Sequence, residues 1–312
     1  MFDPTQREVD RDVESFMKAF ERSQVGEVAS AHPRQPQHVL LVLDASSQDA
    51  TGMAVSRQLQ SVFDCRISVV DARDSVESND LTEQAAKELG GVECIKGTGD
   101  AFQQVLDAVE QVEPDLVIVP CPFGRDLEAV GPDSVGTVID VLLARLHIPM
   151  LVIRQPFEQV AQAFERLLLL IIGENEVAPL AAGWAAGLVS QGGRCDLLLV
   201  LEEEFFQNVQ DVLAAIDPQV KVSHESVEGA MAATQTRLHR SLQKTAQEQG
   251  FEHDLFVLRD DEPQATAMQD DPRHPLLVLA LERADHASQG LVRDRIRWSS
   301  NPVLVVPPPV GD

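Results

Sequence analysis

The chain has 312 residues, of which 44% are apolar and 24% are charged, and its formal net charge is −25. This length accommodates two domains of ordinary size, and the composition is typical of a soluble globular protein. The acidic balance argues against binding to nucleic acid or to an anionic membrane surface. Because no apolar run reaches membrane-spanning length and the N-terminus does not resemble a signal peptide, we expect a cytoplasmic protein without membrane insertion.

The N-terminal residues 1–35 stand apart from the rest of the chain. Between residues 5 and 22, the apolar side chains fall on one helical face: Val9, Val13, Phe16, Met17 and Phe20. This spacing predicts an amphipathic helix that packs on the first domain or on a partner. The following residues, which include Pro33 and Pro36, are interpreted as a linker.

From His38 onward, apolar runs alternate with amphipathic segments. Strands are predicted at residues 38–43, 66–70, 92–95, 115–120 and 149–154. Helices are predicted near residues 51–62, 81–89 and 100–112, and from Gly136 onward. Continuous apolar runs bounded by turn residues are typical of strands that are covered on both faces. We therefore predict a parallel sheet with helices on both sides.

A second unit with the same alternation begins at Arg166. Its strands are predicted at residues 167–172, 195–201 and 302–306, with a helix near residues 179–190. Residues 254–258 and 276–281 compete for the place of the fourth strand. We prefer 276–281, because its distance to the final strand matches the first unit better. The last helix is expected to open at Gly290.

The most informative segment, residues 114–155, contains a glycine loop between two buried strands. The loop includes Gly124, and a helix opens at Gly136 and Thr137. A glycine loop that feeds a helix N-terminus presents backbone N–H groups to an anion. We therefore predict that Gly136, Thr137 and Val138 hold a phosphate. A simple loop-to-helix transition is the alternative.

Two charged residues extend this candidate site. Asp44 ends the first strand, at the sheet edge where open α/β sheets bind ligands, and can accept a hydrogen bond from a nucleobase amino group. Its alternative role is that of an acid in a turn. Arg125 can clamp a phosphate, although an exposed turn is the favoured interpretation. Asp126 and Glu128 oppose a polyphosphate unless Mg²⁺ lies between them.

No catalytic or metal-binding residues are predicted. The histidines show no metal-ligand spacing, and nothing in the sequence groups a serine, a histidine and an aspartate. The cysteines lie far apart, in or beside apolar runs: Cys65, Cys94, Cys121 and Cys195. We expect them to be buried and reduced, without disulfides.

The chain resembles a tandem universal stress protein over residues 36–308. The resemblance rests on LVLDASS at the end of the first strand, GTVIDVLLARLHIPMLVIR around the helix opening, and the related ending RIRWSSNPVLVV. It implies two doubly wound α/β domains, residues 36–156 and 165–308. Each would contain a five-stranded parallel sheet of order 3-2-1-4-5. It also implies an intramolecular pseudo-dimer, in which Met150–Ile153 pairs with Val303–Val306.

ATP-binding members of this family carry an aspartate after the first strand and a glycine loop before the last helix. The resemblance places Asp44 and Ala45 at the first position, and Gly124 and Gly136 in the loop. Cys121 stands where the first glycine is expected, and the loop is longer than the family pattern. The second half lacks both features. The resemblance therefore implies at most one adenine nucleotide, as ATP with Mg²⁺, in the first domain.

Three functions remain open from the sequence. The leading hypothesis is a non-catalytic cytoplasmic stress-response regulator that binds ATP in its first domain and uses its second domain as a dimerisation partner. The alternative is a nucleotide-independent scaffold or interaction protein whose glycine loop is a relic. A nucleoside phosphate hydrolase is less favoured, because no general base can be assigned.

Overall fold

The computed structural model describes residues 29–73, 80–97, 99–124, 135–171, 176–201, 206–207, 223–259, 271, 273–283 and 286–309. The predicted N-terminal amphipathic helix and Arg125 lie outside the described residues.

The first half of the chain contains strands β1–β5 and helices α1–α4. The strands are His38–Leu43, Arg66–Asp71, Glu93–Lys96, Leu116–Pro120 and Met150–Ile153. The helices are Gln48–Phe63, Asp80–Leu89, Ala101–Val112 and Thr137–Arg145. The sequence predicts each of these elements, with ends that differ by a few residues.

The second half follows a short helix, α5, at Val160–Glu165. Strands β6–β10 are Arg166–Ile171, Arg194–Leu201, Leu255–Arg259, Leu276–Ala280 and Val303–Val306. Helices α6–α9 are Ala178–Leu188, His224–Thr234, Thr236–Gln249 and His286–Trp298. The predicted helix opening at Gly290 is wrong, because α9 begins at His286 and Gly290 lies inside it.

The ten strands form one sheet in the order β3-β2-β1-β4-β5-β10-β9-β6-β7-β8. Neighbouring strands are parallel, except that β5 and β10 are antiparallel, with Leu304 opposite Leu151. The strand order on one side of this junction mirrors the order on the other. The strand at Leu276–Ala280 lies beside both β6 and β10, in the place that the sequence assigned to residues 276–281.

The two faces of the sheet are both covered, which explains the uninterrupted apolar runs. In β1, Val39 and Leu41 face the cluster that includes residues of α1, α2, α5, α6 and α8. Leu40 and Val42 face the opposite cluster, which includes residues of α3, α4 and α9. All six residues of β1 are buried. The carboxyl ends of the strands are thereby fixed, and the loops that follow them start from rigid positions.

Residues 29–37, which we call the strap, lie across two helices of the second half before the chain enters β1. Hydrogen bonds fasten the strap to α6 and α8: Arg34 N to the Gly183 carbonyl (2.9 Å), Ser241 Oγ to the Ala29 carbonyl (2.7 Å), and Thr245 Oγ to the Ala31 carbonyl (3.3 Å). The sequence predicts this segment as part of a linker, and the prolines do mark irregular backbone. Through these hydrogen bonds, the strap connects the start of the first half directly to helices of the second half.

Glycines on α6 allow the strap to approach closely. A Cβ atom on Gly183 would lie 2.6 Å from the His32 carbonyl oxygen, and one on Gly187 would overlap the Arg34 carbonyl group. Neither glycine needs its own backbone freedom, because both lie within a helix. Glycine is required at these positions because the backbone of the strap occupies the space that a side chain would take.

The cysteine prediction is correct for three of the four thiols. Cys65, Cys121 and Cys195 are buried, and Cys94 is exposed. The prediction for Cys94 is wrong because β3 is an edge strand whose residues are mostly exposed. All four are free of disulfides.

Candidate functional site

The candidate site lies where the carboxyl ends of β1 and β4 meet. The two strands are neighbours in the sheet, although they are far apart in the sequence. β2 lies on one side of β1 and β4 on the other, so the strand order reverses at this point. Ligands of open α/β sheets bind at such switch points. Asp44 follows β1 here, and Cys121 follows β4.

Asp44 is almost fully enclosed, with 5% of its surface exposed. Its Oδ1 atom accepts a hydrogen bond from the Ser46 N–H at 3.0 Å, and its Oδ2 atom accepts one from the Gly124 N–H at 2.5 Å. The second bond joins the loop after β1 to the loop after β4. The structure therefore brings Asp44 and Gly124 together, and the carboxylate organises the protein's own backbone.

The Ser46 hydroxyl lies two residues after Asp44 and is an unusual polar group. It is buried and has no hydrogen-bond partner among the described residues. Buried hydroxyls are normally satisfied, since leaving one unpaired costs about 1–3 kcal/mol. This hydroxyl lies at the carboxyl edge of the sheet, beside the carboxylate of Asp44.

Asp49, in the first turn of α1, is a site residue that the sequence analysis missed. Its carboxylate accepts hydrogen bonds from the backbone N–H groups of Asp44 at 3.2 Å and Ala45 at 2.9 Å. Ala45 adopts a left-handed backbone with φ of 67°. This conformation is energetically unfavourable for any residue that has a Cβ atom. Asp49 therefore holds the strained turn that carries Asp44. The spacing of two acids around a predicted helix start was the only available signal in the sequence.

The pKa of Asp49 is raised to about 7, first by burial and second by the nearby charge of Asp44. Burial disfavours the ionised form, and two close carboxylates disfavour a double negative charge. A raised carboxyl pKa in the folded state means that Asp49 contributes most to stability below its unfolded pKa, and that this contribution is lost as pH rises through about 7.

We expect Asp49→Asn to remove this pH dependence. Asparagine loses one accepting oxygen at every pH, but it does not ionise. The difference in free energy of unfolding between wild type and Asp49→Asn should therefore change in favour of the variant between pH 4 and pH 8, by up to about 4 kcal/mol. Urea denaturation at several pH values measures this difference. Asp107→Asn, on an exposed part of α3, controls for the loss of one surface charge; equal pH profiles for the two variants would contradict the expectation.

The turn after β4 is anchored by buried side chains. Cys121, in the place of the first glycine of the family pattern, is fully buried, and burial raises the pKa of its thiol to about 11. Its Sγ atom lies 3.5 Å from Arg154 Nη1, which donates to it. Gln48 Nε2 donates to the carbonyl groups of both Cys121 (3.2 Å) and Arg154 (3.0 Å). The thiol is a packing group here, and Gln48 and Arg154 are further structural residues that the sequence analysis did not identify.

Gly136 immediately precedes α4, which begins at Thr137. Its φ of 82° and ψ of 150° belong to a region that glycine alone adopts readily. A Cβ atom placed on it would lie 3.9 Å from the Phe123 backbone nitrogen, so the turn after β4 and the start of α4 are in contact. Thr137 is exposed and Val138 is half-buried in the first turn of α4. Gly136 therefore lies beside Phe123, the residue that precedes Gly124 in the turn after β4.

The segment between β9 and α9 differs in sequence from the glycine loop of the first half. The chain passes from β9 to α9 through residues 281–285, which contain no glycine. Ser288 links α9 to the end of β9. Its Oγ atom accepts a hydrogen bond from the Glu282 N–H at 2.9 Å and donates one to the Ala280 carbonyl at 3.3 Å. These bonds link the end of β9 to the first turn of α9, which begins at His286, before Gly290.

Other site types find no support in the part of the chain that the structure describes. No group of three or more histidine, cysteine, aspartate or glutamate side chains there could hold a metal ion. None of the helices in that part is long and apolar enough to cross a membrane.

No protein-family model matches the chain, and no curated protein matches it. Solved structures do match. The chain is similar to a universal stress protein from Archaeoglobus fulgidus DSM 4304, with 14% sequence identity and a TM-score of 0.55, over 88% of this chain and 97% of that chain. It is also similar to a putative universal stress protein from Pseudomonas aeruginosa UCBPP-PA14, with 11% identity and a TM-score of 0.57, over 88% and 94% of the two chains.

A third similar structure is a functionally unknown protein, PA1789, from Pseudomonas aeruginosa PAO1, with 12% identity and a TM-score of 0.55, over 88% of this chain and 93% of that chain. At these identities the likeness shows the fold alone. The chain has the α/β fold of universal stress proteins, with a sheet dominated by parallel strands.

Proposed function

We propose that this chain is a non-catalytic stress-response regulator that binds one adenine nucleotide in its first half. The observation that carries the proposal is the convergence of Asp44, Gly124 and Gly136 at the switch point between β1 and β4. Residues that are distant in the sequence meet where the fold binds ligands. The buried Ser46 hydroxyl, which has no hydrogen-bond partner among the described residues, supports a ligand at the same edge.

The residues at this edge of the sheet are chemically suited to bind the base and the phosphates of a nucleotide. The Asp44 carboxylate accepts hydrogen bonds and can receive the amino group of adenine, with the Ala45 turn beside it. Gly136, Thr137 and Val138 form the opening of a helix, where backbone N–H groups and the helix dipole favour a phosphate. Mg²⁺ is proposed to accompany ATP, since the net charge of −25 disfavours an uncompensated polyphosphate. Arg125 remains a proposed phosphate contact.

The second half is proposed to act as a built-in dimerisation partner. We assign residues 36–156 and 165–308 to two similar domains, which form an intramolecular pseudo-dimer. The antiparallel pairing of β5 with β10 and the mirrored strand order on each side support this assignment. Both strands are fully buried, so each covers an apolar edge that would otherwise be free to pair with another chain. The free cysteines support a reducing compartment such as the cytoplasm.

A scaffold protein without nucleotide is the second candidate function, and one observation favours it. Cys121 fills the place of a loop glycine with a buried thiol, and Gln48 and Arg154 lock it there. A loop that is held in place by these buried contacts is less able to change its conformation around a phosphate chain. In this case the second half and the strap would be the functional parts of the molecule, and the glycine loop a relic.

We expect isothermal titration of the full-length chain with ATP to show one site per chain, in the presence of Mg²⁺. The reason is that residues 281–285, between β9 and α9, contain no glycine, so the second half lacks the glycine loop of the first. GTP serves as the control for base recognition, and product analysis of the same mixture tests for hydrolysis. Two sites per chain would contradict the asymmetry. Absence of binding heat for every nucleotide would favour the scaffold.

A further inference from the structure

The Asp44 carboxylate, which is proposed to receive a nucleobase, is already engaged inside the protein. Its Oδ2 atom accepts the Gly124 N–H at 2.5 Å and its Oδ1 atom accepts the Ser46 N–H at 3.0 Å. Hydrogen bonds to an ionised carboxylate are short and about twice as strong as neutral ones. With 5% of its surface exposed, Asp44 offers little area to an approaching ligand.

The turn that supplies the Gly124 N–H is held firmly at its other end. Cys121 N–H donates to the Ile153 carbonyl at 2.9 Å, and Gln48 holds the Cys121 carbonyl. Gly124 itself has a left-handed backbone with φ of 65°, and no atom lies within 4 Å of the position that its Cβ would take. Glycine is therefore used here for its conformation and not for space. That conformation directs the N–H group at Asp44.

We propose that the hydrogen bond between Gly124 N–H and the Asp44 carboxylate is an autoinhibitory contact, which an adenine nucleotide must displace in order to bind. This inference rests on the proposed function, and it adds a regulation of the same site. With the Ser46 N–H on Oδ1 and the Gly124 N–H on Oδ2, both oxygen atoms of Asp44 already accept a hydrogen bond, and little of the residue is exposed to the amino group of a base. Displacing the Gly124 N–H opens the turn, exposes the carboxylate, and frees this N–H group for the ligand.

Gly124→Ala tests the contact, because alanine strains a left-handed turn and weakens the bond without removing Asp44. We expect the variant to bind ATP about tenfold more tightly than wild type, since one charge-assisted hydrogen bond accounts for a factor of that order. Gly91→Ala is the matched control, because Gly91 also has a positive φ, of 72°, and no atom within 4 Å of its Cβ position. Gly91 follows α2 and lies outside the candidate site, so this variant should bind as wild type does.

Amide hydrogen exchange, followed by NMR in the full-length chain, measures the contact without any ligand. We expect a slowly exchanging Gly124 amide in wild type, and faster exchange in Asp44→Ala and in wild type saturated with ATP. If wild type binds ATP and Gly124→Ala binds equally or more weakly, the autoinhibitory contact is refuted while the proposed function stands. If neither chain binds a nucleotide, the proposed function is wrong and this inference falls with it.

Discussion

Gly136→Val is expected to abolish ATP binding by the full-length chain. The φ of 82° and ψ of 150° at Gly136 are accessible to glycine and strained for valine. The branched side chain would also project beside the turn at Phe123, where the phosphate is proposed to approach the backbone. Because several N–H groups at the start of α4 would move or be covered together, we expect complete loss of binding and not a graded loss.

The variant must be separated from a folding defect. A strained backbone of this kind costs about 1–3 kcal/mol, so the melting temperature is expected to fall while the circular dichroism spectrum is retained. Gly290→Val is the matched control, because Gly290 lies in the last helix of the second half, with no atom within 4 Å of its Cβ position. It should bind ATP normally. Unchanged ATP affinity in Gly136→Val would show that the start of α4 is not the phosphate site.

A milder change at the same place gives a graded result. Thr137→Ala removes one hydroxyl and leaves the backbone of α4 intact. We expect a loss of about 1.5–3 kcal/mol in binding free energy, as for one hydrogen bond to a charged group. Titration calorimetry at constant salt measures this, with wild type as the reference.

The alternation of strands and helices could be predicted from the sequence because the physical cause is local. A strand that is covered on both faces, such as His38–Leu43, must be apolar throughout, and turn residues must bound it. Residues 276–281 were preferred over 254–258 as the fourth strand by their distance to the final strand, and the structure has a strand in each of the two segments. The edge strand Glu93–Lys96 was also found, but the burial of its Cys94 was not, because strand position in a sheet is a property of the whole fold.

The candidate site could be predicted only in part. Asp44 and Gly136 were predicted from the end of a strand and the start of a helix, and Gly124 from the resemblance to the family's glycine loop. That Asp44 binds Gly124 directly was not predictable, since the two residues are 80 positions apart. Asp49 was missed because an acid in the first turn of a helix is ordinary, and only its burial gives it a special role.

The strap shows a second limit of sequence analysis. Prolines indicate irregular backbone, but they do not indicate the surface on which it lies. The partners of the strap are small residues at i, i+4 spacing on two helices more than 140 positions away: Gly183, Gly187, Ser241 and Thr245. Glycine and alanine are so common in α6 that the pattern suggests only a buried helix. The contact becomes visible when the backbone distances are known.

Gly187→Ala is expected to destabilise the folded chain, although the same change in a helix normally stabilises it. The added Cβ atom would overlap the Arg34 carbonyl group, and the nearest atoms are backbone, which cannot swing aside as a flexible side chain can. Inserting an atom into a packed contact costs about 1–3 kcal/mol. This loss exceeds the gain of about 0.5–1 kcal/mol that alanine brings to a helix interior. We therefore expect a lower free energy of unfolding and a weaker contact between the strap and α6.

Two further alanine variants complete this series, with urea denaturation and hydrogen exchange as the measurements. Gly183→Ala, whose Cβ would lie 2.6 Å from the His32 carbonyl oxygen, should destabilise less, because this overlap is smaller. Gly290→Ala meets no neighbouring atom and should stabilise. In Gly187→Ala, the Arg34 amide, which donates to the Gly183 carbonyl, should exchange faster than in wild type. If all three variants stabilise the chain equally, the strap does not pack closely against α6. The two halves would then be held together by the β5–β10 ladder and the remaining packing alone.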